Sequence, residues 1–170
     1  MKRALCFIIA AVMAASVSAQ GVQDFASRFV EECDVDTAVQ CVTVSPKMME
    51  QLTKKAGEDN NGNMAQAIQK LRSARIVTTS TRSEAYFRQA ENLLKKNAQR
   101  FTHNKDYRSG NGHGTFYTRK TRNGDTVELV LLHADTDSDV LVIVNLTGNI
   151  DEEFISSIMQ TFRNRKGNID

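Results

Sequence analysis

Three histidines, His103, His113 and His133, are the side chains of this sequence best suited to moving a proton or holding a metal near neutral pH. A metal site needs them to converge with a carboxylate or thiolate, and no short ligand spacing links them. Strand alternation puts His103 on the face of Phe101 and Lys105, and His133 on the face of Leu129 and Leu131. Ordinary strand histidines are the expectation. The alternating carboxylates Asp135, Asp137 and Asp139 are of a type that ligates Ca²⁺, as are Asp59, Asn61 and Asn63. Neither stretch has the glycine and closing glutamate of a calcium loop, and Lys70 stands where the second would need its glutamate. Both read as solvated turns. Gly110-Asn111-Gly112-His113-Gly114 is glycine-rich, but it joins two strands and does not lead into a helix, so it is no phosphate cradle. G-x-S-x-G, Cys-x-x-Cys, P-loop and G-x-G-x-x-G patterns are all missing. The expectation is a chain with no catalytic residues, no cofactor and no metal.

Two other groups of residues could serve binding. Arg100, Lys105, Arg108, Arg119, Lys120 and Arg122 gather on two polar strands and their turns, with Tyr107, Phe116 and Tyr117 among them. Such a surface would suit an acidic glycan, a lipid headgroup or a protein partner. Equally, it is what a sheet edge guarded by charge looks like. Cys33 and Cys41 are a candidate disulfide or two separate buried thiols. Cys33 continues the apolar face of a helix, whereas Cys41 alternates with Val42 and Val44.

These residues need elements to position them. The best-marked elements are two apolar runs, Val127–Ala134 and Val140–Leu146, joined by Asp135–Asp139. Their length and Val/Leu/Ile content predict the two most buried strands of a hairpin. Before them, Arg100–Tyr107 and His113–Lys120 read as polar strands toward an edge, and Asn123-Gly124 marks a two-residue turn. Gly148 reads as the break that ends the last strand. Upstream, Val22, Phe25, Ala26, Phe29, Val30 and Cys33 have helical spacing, followed by a strand at Val39–Val44. Ser45-Pro46 starts a helix whose buried stripe is Met48, Met49, Leu52 and Ala56. A second helix around Met64, Ala65, Ile68 and Leu71 leads to the strand Ala74–Thr79. These two strands are expected to run parallel across a helical crossover. A helix then carries Tyr86, Phe87, Ala90, Leu93 and Leu94, capped by Ser80 or Thr81, and a last one, capped by Asp151, carries Phe154, Ile155, Ile158, Met159 and Phe162. The fold class is α+β: a single mixed β-sheet with a C-terminal antiparallel meander and helices packed mainly on one face.

Residues 1–19 carry Lys2 and Arg3, an apolar run from Ala4 to Ala15, and Val17 and Ala19 placed for cleavage, the pattern of a secretory signal peptide. Residues 20–170 then form a single α+β domain. The 22 basic and 20 acidic residues include Lys2 and Arg3, so the chain beyond Ala19 is formally neutral. Charge therefore makes no case for nucleic acid, and no segment beyond the leader is long and apolar enough for a transmembrane helix. Asp36-Thr37-Ala38 and Asp125-Thr126-Val127 match a short Asp-Thr-apolar pattern of bacterial O-glycosylation, with Thr37 the better placed.

The runs VTVSPKMMEQL, LRSARIVTTS, FRQAENLLKK and ELVLL…LVIVNLTGNID resemble the domain-of-unknown-function family 4252 over about Phe25 to Met159. That family consists of small exported or lipid-anchored proteins, mostly of Bacteroidetes, and this chain lacks the lipidated cysteine. The resemblance implies an envelope location and an α+β fold, and supplies no catalytic residues. Together these readings point to an exported, non-enzymatic periplasmic or secreted protein that binds an envelope protein or glycan. The alternative is a small-ligand carrier with a site between helices and sheet, lined by Met48, Met49 and Met64.

Overall fold

A computed structural model describes residues 23–33, 36–58 and 62–164 of the protein. Helix α1 (Phe25–Glu32) begins at Asp24, whose carboxylate accepts the Ser27 N–H at 2.9 Å. Strand β1 (Val39–Thr43) leads to α2 (Pro46–Glu58), where the Ser45 hydroxyl accepts the Met48 amide as its sequence suggests. After α3 (Gly62–Gln69) come β2 (Leu71–Thr79) and α4 (Ser83–Lys96). Four consecutive strands follow: β3 (Thr102–Ser109), β4 (Gly112–Lys120), β5 (Thr126–Asp135) and β6 (Val140–Ile150). Helix α5 (Glu152–Asn164) closes the order, with Asp151 accepting the Phe154 N–H at 2.8 Å.

The strands make one six-stranded sheet in the order β1-β2-β6-β5-β4-β3. The α+β class, the single sheet and the C-terminal meander stand as expected, with the hairpin β5–β6 at its centre. The pairing of β1 with β2 differs: it is antiparallel, with Val42 opposite Ile76, so every pairing in the sheet is antiparallel. The cause lies in the connection. One helix between two strands returns the chain to the end where the first began. Here α2 and α3 pack on each other and return it to the end where β1 stopped.

Helices lie on both faces, where the sequence suggested mainly one. On the first face α1 and α4 bury Phe25, Phe29, Phe87, Leu93 and Leu94 against Val77, Tyr117, Val130, Leu132, Leu141 and Ile143. On the second, Phe154 and Ile155 of α5 and Ala67 of α3 pack on Ala74, Phe116, Leu129, Leu131 and Leu146. Alternation along β5 decides this, since Leu129 and Leu131 face one way and Val130 and Leu132 the other. Each fully buried Leu, Ile or Phe contributes about 1.5–3 kcal/mol. A strand buried on both faces is why these runs lack polar alternation.

Three more expectations change. β3 is the edge, but β4 lies inside the sheet and is mostly buried, because β3 covers it. β6 does not stop at Gly148: it runs through it to Ile150, with Gly148 at φ +147° opposite Leu71. And the α2 stripe is largely open, with Met48 48% and Leu52 46% exposed. The reason is that α2 packs mainly on α3, and among its described side chains Met49 is the one packed against the core. The side chains of Ala56, Met64, Met159 and Phe162 lie outside the described residues.

Candidate interaction surface

Glu128, the one acid inside the apolar run Val127–Ala134, is the most buried charge among the described residues, with no exposure at all. Its Oε1 accepts the Phe25 amide at 2.8 Å and the Asn145 side-chain amide at 3.0 Å, and its Oε2 accepts from Arg119 Nε at 2.7 Å. Asn145 Oδ1 in turn accepts the Ala26 amide at 2.9 Å. Two side chains from the central strands thus receive the first amide groups of α1, which a helix cannot satisfy internally. Beside them Asp24 pairs with Arg75 at 3.1 Å. An open cleft of about 790 Å³ adjoins this network, lined by Asp24, Lys70, Arg72, Arg119 and Asp125 among others. Sequence reasoning missed Glu128 and Asn145. The available signal was a single polar residue inside each apolar run, in VELVLL and VIVNLT.

The basic residues singled out from sequence do not form one patch, although Arg100 and Arg119 lie close enough to repel each other. Arg119 is held by Glu128, and Lys120 pairs with Glu152 at 3.2 Å at the start of α5. Arg100 lies over the Phe101 ring, its guanidinium partly desolvated so that its pKa is lowered. Arg108 sits at the other end of β3, in a cleft with His113, Phe87 and Glu91. Tyr117 is buried on the first face, and burial pushes its phenol up to about 12. Lys105 and Arg122 are exposed. The histidines are likewise divided. His113 meets the Phe87 ring and Glu84 on the first face, while His133 stacks with Tyr107 on the second. A register shift between His103 and Lys105 adds a residue, so these two lie on opposite faces and not on one as alternation predicted. Among the described residues no group of His, Cys, Asp or Glu could hold a metal.

Two of the aspartates of the β5–β6 turn bind backbone, while Asp137 accepts the Asn111 side-chain amide. Asp135 accepts the amides of Asp137 and Ser138. Asp139 accepts those of Arg82 at 2.7 Å and Ser83 at 2.8 Å, together with the Ser83 hydroxyl. Asp139 therefore caps α4 from another hairpin, in place of the local Ser80 or Thr81 cap expected. Arg82 occupies the cap position at φ +54° and Asp139 itself sits at φ +53°. Those amide bonds hold the Asp139 carboxyl below its ordinary range. Asp36 accepts from Tyr86 and Arg82, and its pKa is lowered by the same contacts. Thr37 is exposed and Thr126 buried. Cys33 and Cys41 are both free thiols; Cys33 packs on the first-face core and Cys41, opposite Val77, points to that same face.

Among the described residues one apolar surface is left uncovered. On the second face, beyond the rows packed by α3 and α5, Val42 is 55% and Ile76 37% exposed, side by side on β1 and β2. Val144 continues the row on β6. Val42 and Ile76 thus present apolar side chains to solvent at the β1 margin, and Met48 and Leu52 of α2, the helix that follows β1, are exposed as well.

Fold and surface together define an α+β protein on one antiparallel sheet, with several of its acids committed to backbone amides and an apolar margin at one edge. The chain belongs to the family described as domain of unknown function (DUF4252), whose model matches residues 35–158. Among solved structures it is similar to the protein of unknown function PA94 from Pseudomonas aeruginosa, with 11% identity, 79% of this chain and 84% of that chain covered, and a TM-score of 0.36. It is also similar to the Ran-binding protein Mog1p from Saccharomyces cerevisiae, with 16% identity over 55% and 58% of the two chains and a TM-score of 0.26. No curated protein matches it. No helix of the described residues is long and apolar enough to cross a membrane.

Proposed function

We propose that the protein is an exported, non-enzymatic module that binds a protein of the cell envelope through the apolar margin formed by Val42, Ile76, Met48 and Leu52. The observation that carries this reading is the exposure of Val42 and Ile76, side by side on β1 and β2, together with that of Met48 and Leu52 on α2, the helix that follows β1. An apolar contact zone is what a protein partner fills, whereas a glycan needs polar and aromatic platforms. The use made of the acids supports the non-enzymatic half. Glu128, Asp139, Asp24 and Asp151 each accept backbone amides at a helix start, which removes them as acid–base groups. Export rests on the leader pattern at residues 1–19. The small-ligand alternative is less favoured, because Met48 faces solvent and does not line an internal cavity.

The test is capture from envelope extract with the tagged full-length chain, identified by mass spectrometry. One recurring envelope protein is expected, lost with Ile76→Asp and Leu52→Asp and retained with Arg122→Asp. Equal recovery by both kinds of variant would sink this surface. Fractionation of the native host, with N-terminal sequencing of the recovered chain, tests export: a protein beginning at Gln20 is expected outside the cytoplasm.

A further inference from the structure

The two edges of the sheet are built differently. β3 carries Lys105, Asp106 and Arg108 and a register shift after His103, the devices by which an edge strand resists pairing. β1 carries none of them. Its residues, VQCVT, hold no charge, no proline and no bulge. Its hydrogen-bonding parity is also settled. The Val44 amide donates to Ala74 at 2.8 Å and the Ser80 amide to the Ala38 carbonyl at 3.1 Å. In an antiparallel ladder bonded pairs alternate with unbonded ones, so Gln40 and Val42 also bond to β2. The backbone groups of Val39, Cys41 and Thr43 then point away from the sheet. The Val39 amide turns back to Asp36, leaving its carbonyl and both groups of Cys41 and Thr43 facing outward without a partner among the described residues.

We infer that β1 is the pairing edge for a second copy of this chain, joined antiparallel about a two-fold axis at Cys41. The inference rests on reading the β1 margin as an interaction surface, and names its partner. A two-fold axis normal to the sheet sets Cys41 against Cys41 of the second copy, Gln40 against Val42 and Thr43 against Val39. The outward groups match this register. The two Cys41 residues exchange both of their bonds, and each Thr43 amide meets the opposing Val39 carbonyl, the acceptor that remains open. The strand is neutral, so copies meet without like-charge repulsion. The same axis keeps the faces aligned, so Val42 of each copy, opposite Gln40 of the other, lies diagonal to the second Val42 and the two Val42–Ile76 rows share one face. A charged partner strand would forgo that continuity.

Three measurements decide it, all on the full-length chain. Sedimentation should show a monomer–dimer equilibrium that rises with concentration. With Cys6→Ser and Cys33→Ser, Cys41 is the sole thiol, and a short bis-maleimide should link two chains, since paired bonded residues lie about 5.5 Å apart at Cα. Cys41→Pro removes an amide that the β1–β2 ladder does not use, so it should leave the melting temperature near that of the native chain while abolishing the dimer. Register is tested by charge. Gln40→Lys with Val42→Lys puts lysine against lysine and should give monomer, whereas Gln40→Lys with Val42→Glu puts opposite charges in register and should restore the dimer. A chain that stays monomeric at its highest soluble concentration overturns the inference, as does a dimer indifferent to the two charge pairs. A monomeric chain that still captures an envelope protein through Ile76 would overturn the second copy and keep the binding module.

Discussion

Glu128 and Asn145, on neighbouring central strands, are bonded to each other at 3.0 Å and together take the first two amides of α1. Substituting Glu128 by Ala strands the Phe25 amide and frees Arg119, and should cost about 3 kcal/mol. Asn145→Ala should cost about 2 kcal/mol through the Ala26 amide. Because the two share a bond, the double variant should fall short of additivity by about 1 kcal/mol. Urea unfolding of the three variants measures this. A Glu128→Ala cost below about 0.5 kcal/mol would show that water replaces the carboxylate.

Acid should unfold the protein through its capping aspartates. The carboxyls of Asp139, Asp151, Asp135 and Asp36 are all held below the ordinary value of 3.8, mainly by hydrogen bonds from amides or, for Asp36, from Tyr86. A group with a depressed pKa in the folded state contributes stability that is full above its unfolded pKa. That contribution is lost as pH falls through the folded value. The melting temperature should therefore fall as pH drops below about 4, and Asp139→Asn, with nothing to protonate at that position, should show a shallower fall. Thermal melts between neutral and strongly acidic pH supply the comparison.

Gly148→Ala should be among the costliest single-methyl additions. A Cβ there would lie 2.5 Å from the Lys70 carbonyl and 2.7 Å from Leu71 Cα, at φ +147°. Both neighbours are backbone and cannot rotate away. About 3 kcal/mol is expected from the combined clash and strain, read as a lower urea midpoint, and a loss under about 1 kcal/mol would mean that β2 shifts to make room.

The two thiols should react at different rates. Burial, reinforced by Asp36 and Glu32, raises the Cys33 thiol to about 11, and Gln89 lies against it. Cys41 is exposed. Iodoacetamide at mildly alkaline pH should label Cys41 first and reach Cys33 mainly on unfolding, because the thiolate is the reacting form. Peptide mapping over time distinguishes this order from simultaneous labelling.

Much of the fold was legible along the chain. Ser45 and Asp151 mark helix starts because a cap bonds only two or three residues away, whereas the Asp24 cap lies inside a run that reads as helical from Val22 and was not legible as a start. The α4 face Tyr86, Phe87, Ala90, Leu93, Leu94 is buried as its spacing required. Contacts across the chain were not legible. The cap of α4 comes from Asp139, 57 residues from Arg82, and it displaced a local serine that the sequence offered. The basic strands looked like one surface because they adjoin in sequence. Pleat alternation and a bulge sent Arg119, Lys120 and Arg108 to different neighbours.

By itself the sequence determined the elements, their order, the central pair of strands and the family, because hydrophobic periodicity and caps act over a few residues. Only the tertiary structure decided the antiparallel pairing of β1, the two-sided covering of the sheet, and the burial of Glu128 and Asn145. It also decided that α2 packs on α3, leaving Met48 and Leu52 in solvent, as it leaves Val42 and Ile76 on the sheet. Each of these depends on which surfaces meet after the chain has turned back, and local spacing carries no record of that.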